Sequence, residues 1–223
     1  MNAYESDREQ VEELKKWWKE NGRMVVTGLV LGLGGVFGWT AWQEYQTRQA
    51  EQTSMIYEQL INTIGTPNEP GAIAQGEALV RDYPDSGYAP LAALVLARVA
   101  FEKGDRAGAE RHLRWVMGQT DAFHTSAIAR LRLARILMAD KDYPGALTLL
   151  KNSGSKNFAP AYAETRGDIF AAQGNTQQAR SEYGLALAAT QTDAAARARV
   201  EMKLDDIGRL QAPAAETASK TPQ

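Results

Sequence analysis

The chain has 223 residues and no cysteine, which excludes a disulfide, a thiolate metal site and a cysteine nucleophile, and with them intrinsic redox chemistry. An oxidising compartment stays open to a fold that needs no staples. Histidine is nearly as scarce. His112 and His124 are the only two, twelve residues apart, and His112 stands beside Arg111 and Arg114. No G-x-S-x-G, H-E-x-x-H or Walker phosphate loop occurs. Gly32-Leu33-Gly34 fails as a dinucleotide fingerprint, because Phe37 stands where the third glycine belongs and no strand precedes it. An excess of one charge is missing too: 25 Lys and Arg face 27 Asp and Glu, without the basic surplus of a nucleic-acid binder. Alternating strand runs are absent. These gaps point to a non-enzymatic, all-α chain with no cofactor, no metal and no nucleic-acid partner.

What the chain does have is Met24 to Trp42, nineteen positions without a charge; at about 1.5 Å per residue a helix of that length covers roughly 28 Å, one bilayer. Gly28, Gly32, Gly34, Gly35 and Gly38 lie in it and would weaken a helix in water by up to about 1 kcal/mol each. In lipid the backbone must bond to itself, and small residues admit a neighbouring helix. The spacings Gly28-x-x-x-Gly32 and Gly34-x-x-x-Gly38 suit packing against a partner helix or a second copy, or are incidental small residues. Arg8, Lys15, Lys16, Lys19 and Arg23 precede the span, and Arg48 alone follows it before Arg81. That asymmetry keeps the N-terminus in the cytoplasm and translocates the rest. Trp17, Trp18, Trp39, Trp42 and Tyr45 supply interfacial aromatics. A cleaved signal peptide fits less well, since its apolar core is shorter and Gly38-Trp39-Thr40 is a poor cleavage site.

Residues 1–23 read as a short amphipathic helix opened by a capping box, Ser6 to Glu9, carrying Val11, Leu14, Trp17 and Trp18 on one side and closing at Asn21-Gly22. It lies on the membrane surface, or is a solvated flank that sets topology. Beyond the span, Gln43 to Ile64 continues as a helix up to a loop at Gly65 to Gly71. Further breaks fall at Tyr83 to Gly87, Gly104-Asp105, Asp140 to Asp142, Asn152 to Gly154 and Gly174-Asn175. Residues 211–223 lack apolar periodicity and are expected to be disordered.

Leu96-Ala97-Arg98 followed by Asp105, Gly108, Ala109 and Leu113 recurs 37 residues later as Leu133-Ala134-Arg135, Asp142, Gly145, Ala146 and Leu150. A third copy lies 33 residues on, with Gly167, Gly174, Ala179 and Tyr183. This resembles the tetratricopeptide repeat, a helix-turn-helix unit whose small residues let helices touch. The resemblance implies an α-solenoid over 43–210, with Ile56 to Tyr83 as a diverged first pair and Ala195 to Leu210 as a capping helix. It also puts Leu94, Arg98, Phe101, Leu131, Arg135 and Met138 on a concave groove, with Glu164, Asp168 and Ala171 as the third-copy equivalents. A mixed apolar and cationic groove suits extended or unfolded polypeptide segments. The alternative is that the apolar members are core and the arginines solvated.

Together QVEELKKWWKENG, the Gly-rich span VLGLGGVFGW (30–39), Ser54-x-x-Tyr57 and the repeat array resemble the YfgM family. That resemblance implies an ancillary subunit of the SecYEG translocon in the bacterial inner membrane. Its periplasmic domain would pass newly translocated polypeptides to a PpiD-type periplasmic chaperone. A second class of reading is a single-span signalling regulator whose repeats sense envelope state and whose N-terminal segment restrains a cytoplasmic stress-response regulator.

Overall fold

The computed structural model describes residues 3–119, 123–151, 156–190 and 193–211, with side chains for all of these except 3–10, 123, 156 and 209–211. Nine α-helices and one short 3-10 turn make up these described residues, with no strand among them. The chain divides into two units, Met1–Gln52 and Thr53–Gln223.

The first unit is helical throughout its described residues. Its helix, α1, runs from Ala3–Thr63, 61 residues, and is the one helix among the described residues long and apolar enough to cross a membrane. Two expectations are corrected here. The backbone is already helical at Ala3, so Ser6 lies inside the helix instead of opening it. Asn21-Gly22 does not close it either: the Asn21 amide donates to the Trp17 carbonyl at 3.1 Å, and the Trp18 ring lies over Gly22, 3.2 Å from where a Cβ would stand. The turn signal is overridden because the side chain that would stop the helix bonds back into it. Within 24–42 the large apolar side chains are exposed, Leu29 at 62% and Phe37 at 69%. The two hydroxyls of that stretch are satisfied by the helix itself, Thr27 donating to the Arg23 carbonyl and Thr40 to that of Phe37. Lipid demands such internal satisfaction.

The second unit is a row of helical pairs. The end of α1 sets Leu60 against Gly76 of α2 (Glu69–Asp82); α3 (Tyr88–Glu102) pairs with α4 (Arg106–Met117), α5 (Phe123–Ala139) with α6 (Tyr143–Leu149), and α7 (Ala159–Ala172) with α8 (Thr176–Ala189), before α9 (Ala194–Gln211) closes the row. The loop expected through Gly71 is shorter than composition suggested. Pro70 sits in the first turn of α2, where its missing N–H is no loss, and the Glu69 carboxylate accepts from the Gly65 N–H at 2.7 Å. Gly118 ends α4 at a further break between repeats. Asn152 to Gly154 and residues 212–223 lie outside the described residues, while Gln211 belongs to α9.

The repeat shows in the turns. Asp105, Asp142 and Asn175 cap α4, α6 and α8, accepting from the N–H groups of Gly108, Gly145 and Gln178. Before each cap one residue takes a left-handed conformation: Gly104 (φ 81°), Lys141 (φ 63°) and Gly174 (φ 76°). It shows equally in the packing. Ala109, Ala146 and Ala179 are fully buried, and a Cβ on Gly167 would meet the Tyr183 ring at 2.4 Å. Where repeats one and two face Ala97 to Leu113 and Ala134 to Leu150 within shared cores, the third has exchanged the pair for glycine and tyrosine. Three core clusters follow the row, the first centred on Leu60, Leu79, Leu96 and Leu113, the second on Leu150, Tyr162 and Ile169, the third on Tyr183, Val200 and Ile207. Val200 and Ile207, one face of α9, bury as their spacing implies.

Candidate functional site

Successive first helices of the repeats, α3 and α5, carry arginines on matching turns. Arg132 and Arg135 are three apart on α5 and therefore share a face; Arg98 stands on α3 at the position equivalent to Arg135. With them a cavity of about 330 Å³ opens, its apolar lining supplied by Ala97, Phe101, Leu113 and Ile136. Phe101 remains 45% exposed, so a large aromatic surface faces solvent at this opening.

The three cations are held differently. Arg98 donates to Glu102 one turn along α3 at 2.7 Å, and that bond raises its pKa. Arg132 reaches across to α3, its Nη1 donating to the Leu94 carbonyl at 3.0 Å. Loss of solvent, and then the like charges of Arg98 and Arg135, pull Arg132 below the ordinary arginine range; a guanidinium remains protonated all the same. Among the described residues no carboxylate pairs with Arg132 or Arg135.

Of the six groove residues expected from the repeat alignment, Arg98, Phe101 and Arg135 meet at this cavity. Leu94 and Leu131 are corrected: at 6% and 7% exposure they belong to the first and second cores. Met138 is half-buried against the second. Each lies where the adjoining helix covers it, and spacing alone does not report that cover. Arg132 was missed, although its three-residue offset from Arg135 was a usable signal. His112 is engaged with Glu77 at 3.1 Å, and His124 stacks edge-on against Phe158.

At the third copy Asp168 stands where the first two carry Arg98 and Arg135, Glu164 stands where they carry Leu94 and Leu131, and both carboxylates are met from within the chain. Arg199 of α9 forms a two-pronged pair with Glu164, both bonds 2.8 Å. Lys203 bridges Glu164 and Asp168 at 2.8 and 2.7 Å, and the Tyr183 hydroxyl donates to Asp168 at 2.8 Å. The Arg199 bond dominates, and with Lys203 it holds the Glu164 carboxyl down at about 2 against the penalty of burial. Tyr183 is pushed well up, first by burial and then by its bond to Asp168. Ala171 packs against the third core.

Residues 15–209 match the family model described as a tetratricopeptide repeat-like domain. Proteins named ancillary SecYEG translocon subunit are similar over most of their length. The one from Haemophilus influenzae is 34% identical over 182 residues, 81% of this chain and 89% of that protein. The one from Neisseria gonorrhoeae is 30% identical over 208 residues, 93% of this chain and all of that protein. The Escherichia coli K12 protein is 28% identical, covering 93% and 99%. The chain belongs to the YfgM family. The matched region takes in the apolar stretch of α1, the arginine-lined cavity and the ion pairs of α9. With one long apolar helix among its described residues, this member is a single-span, membrane-anchored protein with a tetratricopeptide-like array.

Proposed function

We propose that the chain is a non-enzymatic adaptor at the SecYEG channel, with residues 1–23 in the cytoplasm and the repeat array in the periplasm, linking newly translocated polypeptides to a PpiD-type chaperone. The relatives' names support the channel, and the Lys and Arg asymmetry about the span supports the orientation. The observation that carries the binding role is the open cavity of Phe101, Arg98 and Arg135, which pairs apolar surface with cations that have room for a partner. Apolar contact supplies affinity there, while arginine holds carbonyls or carboxylates. Gly28 and Gly32 on one side of α1, and Gly34 and Gly38 on another, meet nothing within 4 Å of where their Cβ would stand beyond the surrounding helix itself, and either pair offers a face that packs on a membrane partner or on a second copy as a homodimer.

The test is a photo-crosslinking residue at position 101 of the full chain in native membranes, with a second at exposed Leu185 as control. Capture of a translocating polypeptide or chaperone at 101 and not at 185 is the expected result. Equal or no capture at both removes the binding role. Protease added to spheroplasts is expected to digest the array and leave a protected N-terminal stub; an intact array overturns the orientation.

A further inference from the structure

The cavity between α3 and α5 is not neutral ground for an unfolded chain. Arg98, Arg132 and Arg135 border it, and Glu102, paired with Arg98, is the one carboxylate bonded to any of them among the described residues. Three guanidiniums against one carboxylate leave about two positive charges unanswered at a site whose remaining lining is apolar. Bringing Arg132 toward two like charges has an electrostatic cost that a bound anion relieves. The third repeat shows the same face in answered form, Asp168 at the position of Arg98 and Arg135 and Glu164 one turn before it, each bonded by α9 cations. Where the array is closed, charge is matched within the chain. Where it is open, the match is left for a ligand.

We propose that this cavity selects polypeptide segments in which a bulky apolar side chain is flanked by carboxylates, the apolar group seated against Phe101, Leu113 and Ile136 and the carboxylates held by Arg132 and Arg135, the two lining cations that no carboxylate of the described residues answers. In an extended segment, residues two apart point to the same side about 6.5 to 7 Å apart. An aspartate two residues before and two after a phenylalanine therefore presents all three groups to one surface. Two such carboxylates answer the two unmatched charges, which a single chain terminus does not. A cavity of about 330 Å³ has room for an aromatic side chain.

This rests on reading the cavity as a polypeptide site, and the experiment separates the two. The full-length chain in detergent micelles is titrated into a fluorescent, blocked probe, acetyl-Ser-Asp-Ser-Phe-Ser-Asp-Ser-amide. Replacing both aspartates by asparagine is expected to weaken binding at least about tenfold, the loss of two charge-assisted bonds. Replacing phenylalanine by alanine is expected to weaken it as much. Arg135→Gln should erase the preference for aspartate, while Phe101→Ala should erase the preference for phenylalanine. Raised salt should weaken the aspartate probe and leave the asparagine probe unchanged. Equal affinity for aspartate and asparagine probes, or a preference that survives Arg135→Gln, overturns the proposal. So does tighter binding of a Ser-Ser-Ser-Phe peptide with a free carboxyl end, which would mean terminus recognition. If acidic selectivity is absent while position 101 still captures translocating chains in membranes, the selectivity alone falls. If selectivity is present but no chain is captured, the adaptor role falls instead.

Discussion

Two stretches of one array, α3 to α5 and α7 to α9, start from equivalent helix positions and end in opposite conditions. Arg98 and Arg135 of the first border an open cavity with exposed Phe101. Their third-copy counterpart Asp168 is acidic, as is Glu164, which replaces Leu131 one turn before it and is 5% exposed beneath α9. The repeat thus supplies a backbone position, and charge decides whether the chain or a partner fills it. A terminal helix must bury one face and satisfy whatever acidic groups it covers. Arg199 and Lys203 do both while Val200 and Ile207 fill the third core.

Breaking the closed end should have the largest effect. Glu164→Ala leaves Arg199 without its principal partner and Lys203 with Asp168 alone. A buried ion pair deprived of one member costs about 3–5 kcal/mol; because the Arg199 side chain is 51% exposed and water can take over part of the role, we expect about 2–3 kcal/mol. Denaturant unfolding of the detergent-solubilised chain should show it as a lower midpoint. An unchanged midpoint would mean that α9 is held by Val200, Ile207 and the Lys203–Asp168 pair without help from Glu164.

The same contact can be loosened by protons. Glu164 titrates at about 2 in the folded chain against an ordinary 4.5, so the folded state favours the charged form. The stabilisation is therefore present above about pH 4.5 and is lost as pH falls from there through 2. Unfolding midpoints measured from pH 5 to pH 2 should decline, and Glu164→Gln should flatten the decline. The exposed Glu69 and Asp82 are also held below their ordinary values by their bonds to Lys103 and Arg81, so the part of the decline that Glu164→Gln removes is the part that belongs to the closed end. A parent and variant with parallel pH curves would assign it elsewhere.

A smaller effect tests whether the third repeat is a size-swapped copy of the others. Gly167→Ala drives a methyl into the Tyr183 ring, where a Cβ would come within 2.4 Å, and overpacking typically costs about 1–3 kcal/mol. Adding Tyr183→Leu recreates the alanine–leucine pairing of the second repeat, Ala134 with Leu150. The double variant should be more stable than the sum of the single losses by at least about 0.5 kcal/mol, the coupling expected of touching residues. Strict additivity would show that the two positions do not share a contact.

The array was readable from sequence because its contacts are steric and periodic. Ala109, Ala146 and Ala179 must be small where helices cross, and Asp105, Asp142 and Asn175 must bond the following turn, so both recur at repeat spacing. The cavity was readable only in part. Arg98, Phe101 and Arg135 followed from the alignment, whereas Leu94 and Leu131, four residues before those arginines and thus on the same face, were expected to be open and are buried. Facing a groove and being covered at its floor give the same spacing; the cover comes from a neighbouring helix distant in sequence. The pairing of Glu164 with Arg199 spans 35 residues and needed the fold to be seen. Asn21-Gly22 misled for another reason. A dipeptide that signals a turn in water stays helical when its amide bonds to the preceding turn.

The smallest expected change sharpens the comparison most, since it asks whether the open end contributes to folding at all. Arg135 is exposed and, among the described residues, has no ion pair. Its guanidinium faces Arg132 and Arg98 instead, whose like charges act on one another. Arg135→Gln removes no bond and relieves part of that repulsion, so stability should stay within about 0.5 kcal/mol of the parent, as for surface positions without a named partner. Denaturant midpoints of the two proteins at low and high salt measure this directly. With relief of repulsion as the only effect, any gain should appear at low salt and fade when salt screens the cluster. A loss above about 1 kcal/mol would reveal a structural role for Arg135 and make the cavity a part of the scaffold, like the α9 end, instead of a surface held in reserve for a partner.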